Sequence, residues 1–210
     1  MPRPERPEFV YLDMGNVIVH FDRDRGLRQM AAVCDTDVAR VRAAALDAEM
    51  LLRLERGDIG WPEYHAWFSR QTGTSSPPAR LAHAASDIFA LNVAMLPVIA
   101  GLERAGCRMG ILSNTCQPHW ELLRACRYAV LPGNFTQIVL SHEVGAVKPE
   151  PGIFALAAER AGVDAQRIFF TDDIPAHVDA ARAAGWQAEV FTSAAGLITA
   201  LDRRGLTLGL

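Results

Sequence analysis

The chain has no block of like charge, no long hydrophobic run, no paired cysteine spacing, no internal repeat and no low-complexity tract. Each absence removes a class of protein. Its 210 residues carry 21 basic and 24 acidic side chains, a formal net charge of −3, and the pI is near 6.1. The basic residues are scattered, so the electrostatic footprint that nucleic acid or an anionic membrane needs is missing. The start, Met1-Pro2-Arg3-Pro4-Glu5-Arg6-Pro7-Glu8, is proline-rich and charged without an apolar core. It is expected to be a flexible leader over residues 1–7, and neither a signal peptide nor a transmembrane segment. Cys34, Cys107, Cys116 and Cys126 are read as structural thiols of an unexported, cytoplasmic protein. The expected partner is a small molecule, with no nucleic acid and no membrane; the oligomeric state stays open between monomer and homodimer.

Half the residues are apolar, enough for a real core. Four short apolar runs end in polar residues. Phe9-Val10-Tyr11-Leu12 leads to Asp13-Met14-Gly15-Asn16-Val17, and Cys107 to Leu112 leads to Ser113-Asn114-Thr115. Phe135 to Leu140 leads through Ser141 to Lys148-Pro149, and Arg167 to Thr171 ends at Asp172-Asp173. Each run reads as a buried strand, and Gln187 to Phe191 as a fifth. Helical patterns separate them, around Pro97–Ala105, Pro118–Tyr128, Pro151–Ala161 and Pro175–Ala184. The alternation predicts an α/β fold, a doubly wound parallel sheet, whose ligands bind beyond the carboxyl ends of the strands at the switch point.

Between the first two strands lie about 90 residues that read as helical, far more than the roughly 10–15 a crossover needs. The pattern predicts helices over Thr36–Arg56, from Trp61-Pro62 onward through Tyr64, Trp67 and Phe68, and around Leu81–Leu91. Arg23 to Arg28 reads as a solvated helix face. The expected division is residues 8–19 and 96–210 as a Rossmann-like core, with residues 20–95 as an inserted all-helical cap.

A carboxylate attacks phosphorus well when a divalent cation neutralises charge and orients both partners. Asp13 is the candidate nucleophile. Magnesium, Mg2+, takes oxygen ligands, commonly one or two carboxylates with phosphate and water, which Asp13 with Asp172 and Asp173 would supply together with the carbonyl of Gly15. Ser113, the backbone N–H groups of Asn114 and Thr115, and the Lys148 ammonium would clamp the phosphate. Lys148 precedes proline, which disfavours the helical region for it and leaves its side chain free to enter the crevice. Taken singly, Ser113-Asn114 reads as a helix cap and Lys148-Pro149 as a loop; the constellation is what gives them chemistry.

The ordered set Asp13-x-Gly15-x-Val17, Ser113-Asn114-Thr115, Lys148-Pro149-Glu150-Pro151-x-Ile153-Phe154 and Phe170-Thr171-Asp172-Asp173 resembles the four motifs of the haloacid dehalogenase (HAD) superfamily of hydrolases. Glu55-Arg56-Gly57-Asp58-Ile59 is similar to the helical cap of its phosphatase-like members. The resemblance implies a Mg-dependent phosphatase of small phosphorylated metabolites. In it Asp13 forms an aspartyl-phosphate, Ser113 and Lys148 hold phosphate with Asn114, Thr115 and Asn16 as further contacts, and Asp173 binds metal directly with Asp172 beside it.

Two departures stand out. Most phosphatases of the superfamily place an acid–base Asp two residues after the nucleophile, where this chain has Gly15. The Asp-x-Gly-Asn-Val variant resembles a subgroup acting on sugar 1-phosphates such as glucose 1-phosphate, whose leaving groups lean less on that acid. His177 stands where related sequences often carry Asn. It is a candidate to tune the surroundings of Lys148 or Asp173, and His20 is a candidate substitute acid–base group. The alternatives are a 2-haloacid dehalogenase, which generally lacks the paired acids, and a non-catalytic metal- or phosphate-binding regulatory module.

Overall fold

The structure is a computed structural model that describes residues 5–125, 131, 133 and 135–209. In chain order its elements are β1 (Phe9–Leu12), β2 (Val19–Phe21), α1 (Arg23–Cys34), α2 (Val38–Ala45), α3 (Ala48–Arg56), α4 (Trp61–Thr72), α5 (Pro78–Ser86) and β3 (Phe89–Leu91). There follow α6 (Met95–Arg104), β4 (Arg108–Ser113), α7 (Gln117–Ala125), β5 (Phe135–Leu140), α8 (Ser141–Val144), α9 (Pro151–Ala161), β6 (Ile168–Asp172), α10 (Pro175–Ala183), β7 (Gln187–Val190) and α11 (Ala194–Asp202).

Five strands form one parallel sheet in the order β5-β4-β1-β6-β7. β1 sits at the centre, flanked by β4 and β6, so the chain changes winding direction at the strand that ends in Asp13. Its residues alternate between two buried faces. Val10 and Leu12 pack with Val98, Leu102 and Leu201 on one side. Phe9 and Tyr11 pack with Phe154, Phe170 and Trp186 on the other. Burial on both faces explains why these strands read as continuous apolar runs. The Tyr11 hydroxyl finds the Ala157 carbonyl at 2.8 Å, so the buried phenol is satisfied.

The insert has its own core, where Leu27, Met30, Val41, Leu54, Phe68 and Leu81 meet. The expected helices are there, with three differences. The Thr36–Arg56 pattern is two helices, because Asp47 accepts from the Met50 amide and caps a new start at Ala48. The helix expected over Leu81–Leu91 ends at Ser86. Phe89–Leu91 instead pairs antiparallel with Val19–Phe21, with His20 opposite Ala90. This two-stranded ribbon is the stem of the insert, and three-residue strands are too short to show alternation. α11, capped by Ser193, was not foreseen. The last residues of the helix expected over Pro118–Tyr128, and Cys126, lie outside the described residues. Among the described residues no helix is long and apolar enough to cross a membrane.

Cap and core are fastened at α3. The Arg56 guanidinium grips Glu150, at the start of α9, with Nη1 to Oε2 at 2.9 Å and Nη2 to Oε1 at 2.5 Å. Gly57, at φ +81°, lies so close to the His142 carbonyl that any side chain would collide with it.

In the sheet, a Cβ on Gly110 would fall 2.5 Å from Tyr11 Cε1 and 2.8 Å from Phe9 Cε1. Gly110→Ala is expected to cost about 1–3 kcal/mol through overpacking, lowering the melting midpoint by several degrees in a thermal melt.

Candidate active site

Lys148 organises the centre. Its ammonium donates to Asp13 Oδ1 at 2.7 Å, to Asp172 Oδ2 at 2.5 Å and to the Leu112 carbonyl at 2.9 Å, which uses all three protons. The residue is 3% exposed and is the only lysine among 20 arginines. Asn114 fixes its backbone in both directions: the Lys148 N–H donates to Asn114 Oδ1 and Asn114 Nδ2 to the Lys148 carbonyl, each at 2.8 Å. The Lys148–Pro149 peptide is cis.

Burial alone would disfavour the ammonium, but the facing charges of Asp13 and Asp172 outweigh it and hold Lys148 above its ordinary value. The two carboxylates divide unequally. Burial pushes Asp172 up, yet the His177 hydrogen bond and Lys148 overcome this and hold it below its usual range. His177 Nδ1 lies 3.0 and 3.1 Å from its two oxygens, and the Ile174 amide donates at 2.8 Å. Asp13 lacks those partners. Burial raises it, Lys148 pulls it back and the charge of Asp172 adds to the rise.

Ligand oxygens of Asp13, Asp172 and Asp173 lie within 4.8 Å of one another. The Gly15 carbonyl accepts no hydrogen bond among the described residues. Hard carboxylate and carbonyl oxygens are what a magnesium ion takes, so the donor chemistry of this cluster fits that ion.

Some expected roles change. The Thr115 N–H, foreseen as a phosphate donor, is already bound to Ser141 Oγ at 2.9 Å. Ser113 Oγ donates to the Asn114 carbonyl at a long 3.4 Å, and Ser113 and Asn114 both line the cavity. Asn16 Nδ2, foreseen near phosphate, donates instead to Asp173 Oδ2 at 2.9 Å, from a backbone at φ +55°. His20 is exposed on β2 and lines no part of the cavity, whereas Phe21, next along the strand, turns inward. A Cβ on Gly15 would lie 3.3 Å from Phe21 Cε1, so an aromatic ring stands where a side chain at position 15 would go.

Above the crevice is a cavity of about 200 Å³, smaller than the roughly 300–1,000 Å³ of pockets for drug-sized ligands. Its floor is Gly15, Ser113 and Asn114; its walls include Met30, Leu54 and Trp61 from the insert. Tyr64, Trp67 and Phe68, on the helix expected from Trp61-Pro62 onward, all pack in the core of the insert, and Tyr64 also lines the cavity. Phe21, Glu55 and Trp61 were not foreseen as lining. Glu55 carried one signal, its place in the segment similar to phosphatase caps.

An acidic cluster and a buried lysine thus meet at the switch point of a doubly wound parallel sheet, where folds of this class bind their ligands. The chain belongs to the haloacid dehalogenase-like hydrolases, whose family model matches residues 13–185. A phosphatase of Mycobacterium tuberculosis (strain CDC 1551 / Oshkosh) is 32% identical over 96 residues, 44% of this chain and 42% of that protein. The chain thus spans about two-fifths of that relative's length. A HAD family enzyme from Bacteroides thetaiotaomicron, solved with magnesium and inorganic phosphate, superposes with a TM-score of 0.79 at 22% identity, covering 89% of this chain and 95% of that one. A HAD-like family hydrolase from Porphyromonas gingivalis gives a TM-score of 0.79 at 24% identity, covering 94% and 97%. These two likenesses show the shared fold.

Lys148→Met leaves two buried carboxylates face to face and is expected to cost about 3–5 kcal/mol at neutral pH. In urea denaturation the deficit should shrink as pH falls, because protonating either carboxylate removes the repulsion. His119, which lines the cavity against the Phe89 ring, is pushed down by burial to about 4 from its ordinary 6.5. The unfolded chain therefore takes up a proton that the fold refuses. Stability is expected to fall by at most about 3 kcal/mol as pH drops from about 6.5 to 4, and His119→Gln should flatten that slope in thermal melts.

Proposed function

We propose that this protein is a magnesium-dependent phosphatase of small phosphate monoesters, working through an aspartyl-phosphate on Asp13. The observation that carries the reading is the convergence of Asp13, Lys148, Asp172 and Asp173 on one crevice, with Ser113 and the Asn114 N–H beside it. Lys148 occupies Asp13 Oδ1 and leaves Oδ2, the oxygen nearer Gly15, as the attacking atom. Ser113 and the Asn114 N–H would donate to phosphate oxygens.

Asp13, Asp172, Asp173 and the Gly15 carbonyl would hold magnesium. When bound, the ion supplies charge neutralisation that lets a carboxylate and a phosphate approach one another. Asn16 orients Asp173 for that role, and His177 with the Ile174 amide keeps Asp172 ionised. The paired acids favour phosphate over a haloacid substrate, which needs no metal. Gly15 supplies no acid from the core, so activated esters such as sugar 1-phosphates and acyl phosphates are the substrates that core residues alone would serve. The cavity adds a size limit and an apolar wall for the organic part.

The test is phosphate release from a panel of sugar, aryl and acyl phosphates, with magnesium or with chelator. Release is expected only with magnesium, and Asp13→Asn should abolish it. Magnesium binding without any release would favour the regulatory module, while chloride release from 2-haloacids would favour the dehalogenase.

A further inference from the structure

The core lacks an acid–base group at position 15, and the structure closes off simple replacements. Phe21 fills the space beside Gly15, and His20 faces outward. Five titratable side chains line the cavity: Arg23, Glu55, Tyr64, Cys116 and His119. Arginine holds its proton throughout. Burial pushes the Tyr64 phenol up, and the Cys116 thiol up to about 12, so both stay protonated. His119 is held neutral, its ring packed on Phe89 and bonded to the Ala85 backbone.

Glu55 differs from all of them. It sits on the last turn of α3, shares the cavity with Gly15 and Ser113, and its carboxylate has no hydrogen-bond or ion-pair partner among the described residues. Its neighbours hold it in place. Arg56 grips Glu150, two residues after Lys148, and Gly57 lies against the His142 carbonyl, so the end of α3 is fixed to the core on the residue next to Glu55.

We propose that Glu55, presented from the cap, is the acid–base residue of this site. The inference rests on the phosphatase reading above. In the first step Asp13 Oδ2 forms a bond to phosphorus as the ester P–O bond breaks, and the departing oxygen takes the proton of the Glu55 carboxyl to leave as a neutral alcohol. In the second step the Glu55 carboxylate removes a proton from water as the water oxygen bonds to phosphorus. The Asp13–phosphorus bond breaks, inorganic phosphate departs, and both side chains return to their starting states.

Burial raises Glu55 above its ordinary value, favouring the protonated form that the first step requires. The charges that act on it are Arg23 from α1, Lys148 ahead of α9 and His177 on α10, which pull it down, and Asp13, which pushes it up. Cys116, at the foot of α7, is neutral. With the acid delivered from the cap, the substrate range is not confined to activated esters.

The experiment compares wild type, Glu55→Gln and Glu55→Asp on phenyl phosphate, p-nitrophenyl phosphate and an alkyl phosphate, reading kcat/KM, which reports cleavage of the ester. For Glu55→Gln the expected loss is about 10²–10⁴-fold on phenyl and alkyl phosphates, whose leaving oxygens need a proton. On p-nitrophenyl phosphate, which leaves as a stable anion, the loss should be far smaller. Glu55→Asp should keep a carboxyl-dependent alkaline limb in its pH profile, and Glu55→Gln should lose it. An equal loss on all three esters, or none, overturns the inference while leaving an active, magnesium-dependent, Asp13-dependent enzyme. Absence of release by wild type instead removes the phosphatase reading, and this inference with it.

Discussion

The arrangement turns on one buried ammonium. Lys148 carries a positive charge into a place that is almost closed to water, and it is tolerable there because two carboxylates and a carbonyl take all three of its protons. Those partners come from the ends of three different strands: Leu112 from β4, Asp13 after β1 and Asp172 at the end of β6. The ion network can close only if the sheet is assembled in its parallel order with β1 in the middle. The same charge that secures the fold also decides which oxygen of Asp13 is spoken for. Around it lies a shell of supports, with Asn114 holding the Lys148 backbone, His177 holding Asp172 and Asn16 holding Asp173.

Much of this was legible in the sequence because parallel strands buried on both faces leave a plain signature, an apolar run that stops at a polar residue. Asp13, Ser113 and Asp172 stand at the ends of such runs with Asp173 directly after, whereas Lys148, eight residues past Leu140, stood out only as part of the whole constellation. The lysine could have been singled out further: in a chain that uses arginine at every other basic position, the single Lys148 marks a site where a compact ammonium is wanted and a broad guanidinium is not. What was hidden is of a different physical kind. That the Thr115 amide is consumed by Ser141 depends on where α8 begins beside β4, a tertiary fact without a local pattern. The phase of α3, which sends Glu55 into the cavity and Arg56 onto Glu150, is set by packing across the cap–core boundary. The ribbon of β2 and β3 joins segments about 70 residues apart and is too short to betray its period.

The cap is not an independent lid resting on the core. Its stem is the two-stranded ribbon, whose Phe21 reaches Gly15 in the loop after β1, and its far side is tied down by Arg56 and by the close approach at Gly57. Residues on the insert therefore have a defined position relative to Asp13, as a catalytic group requires. The Asn92 side chain, which donates to the Val17 carbonyl at 2.8 Å, stitches the two chain crossings of the stem together.

The burial of the sole lysine also shapes the chemistry of the protein's exterior. Every side-chain cation on the surface is a guanidinium, so no ε-amine is presented to the solvent. Acylating metabolites, carbonyl compounds and amine-directed cross-linkers find no accessible lysine on this chain. The single lysine that could react is shielded and engaged by Asp13 and Asp172. The chain thus keeps its only ε-amino group protonated and buried, where covalent modification cannot readily reach it.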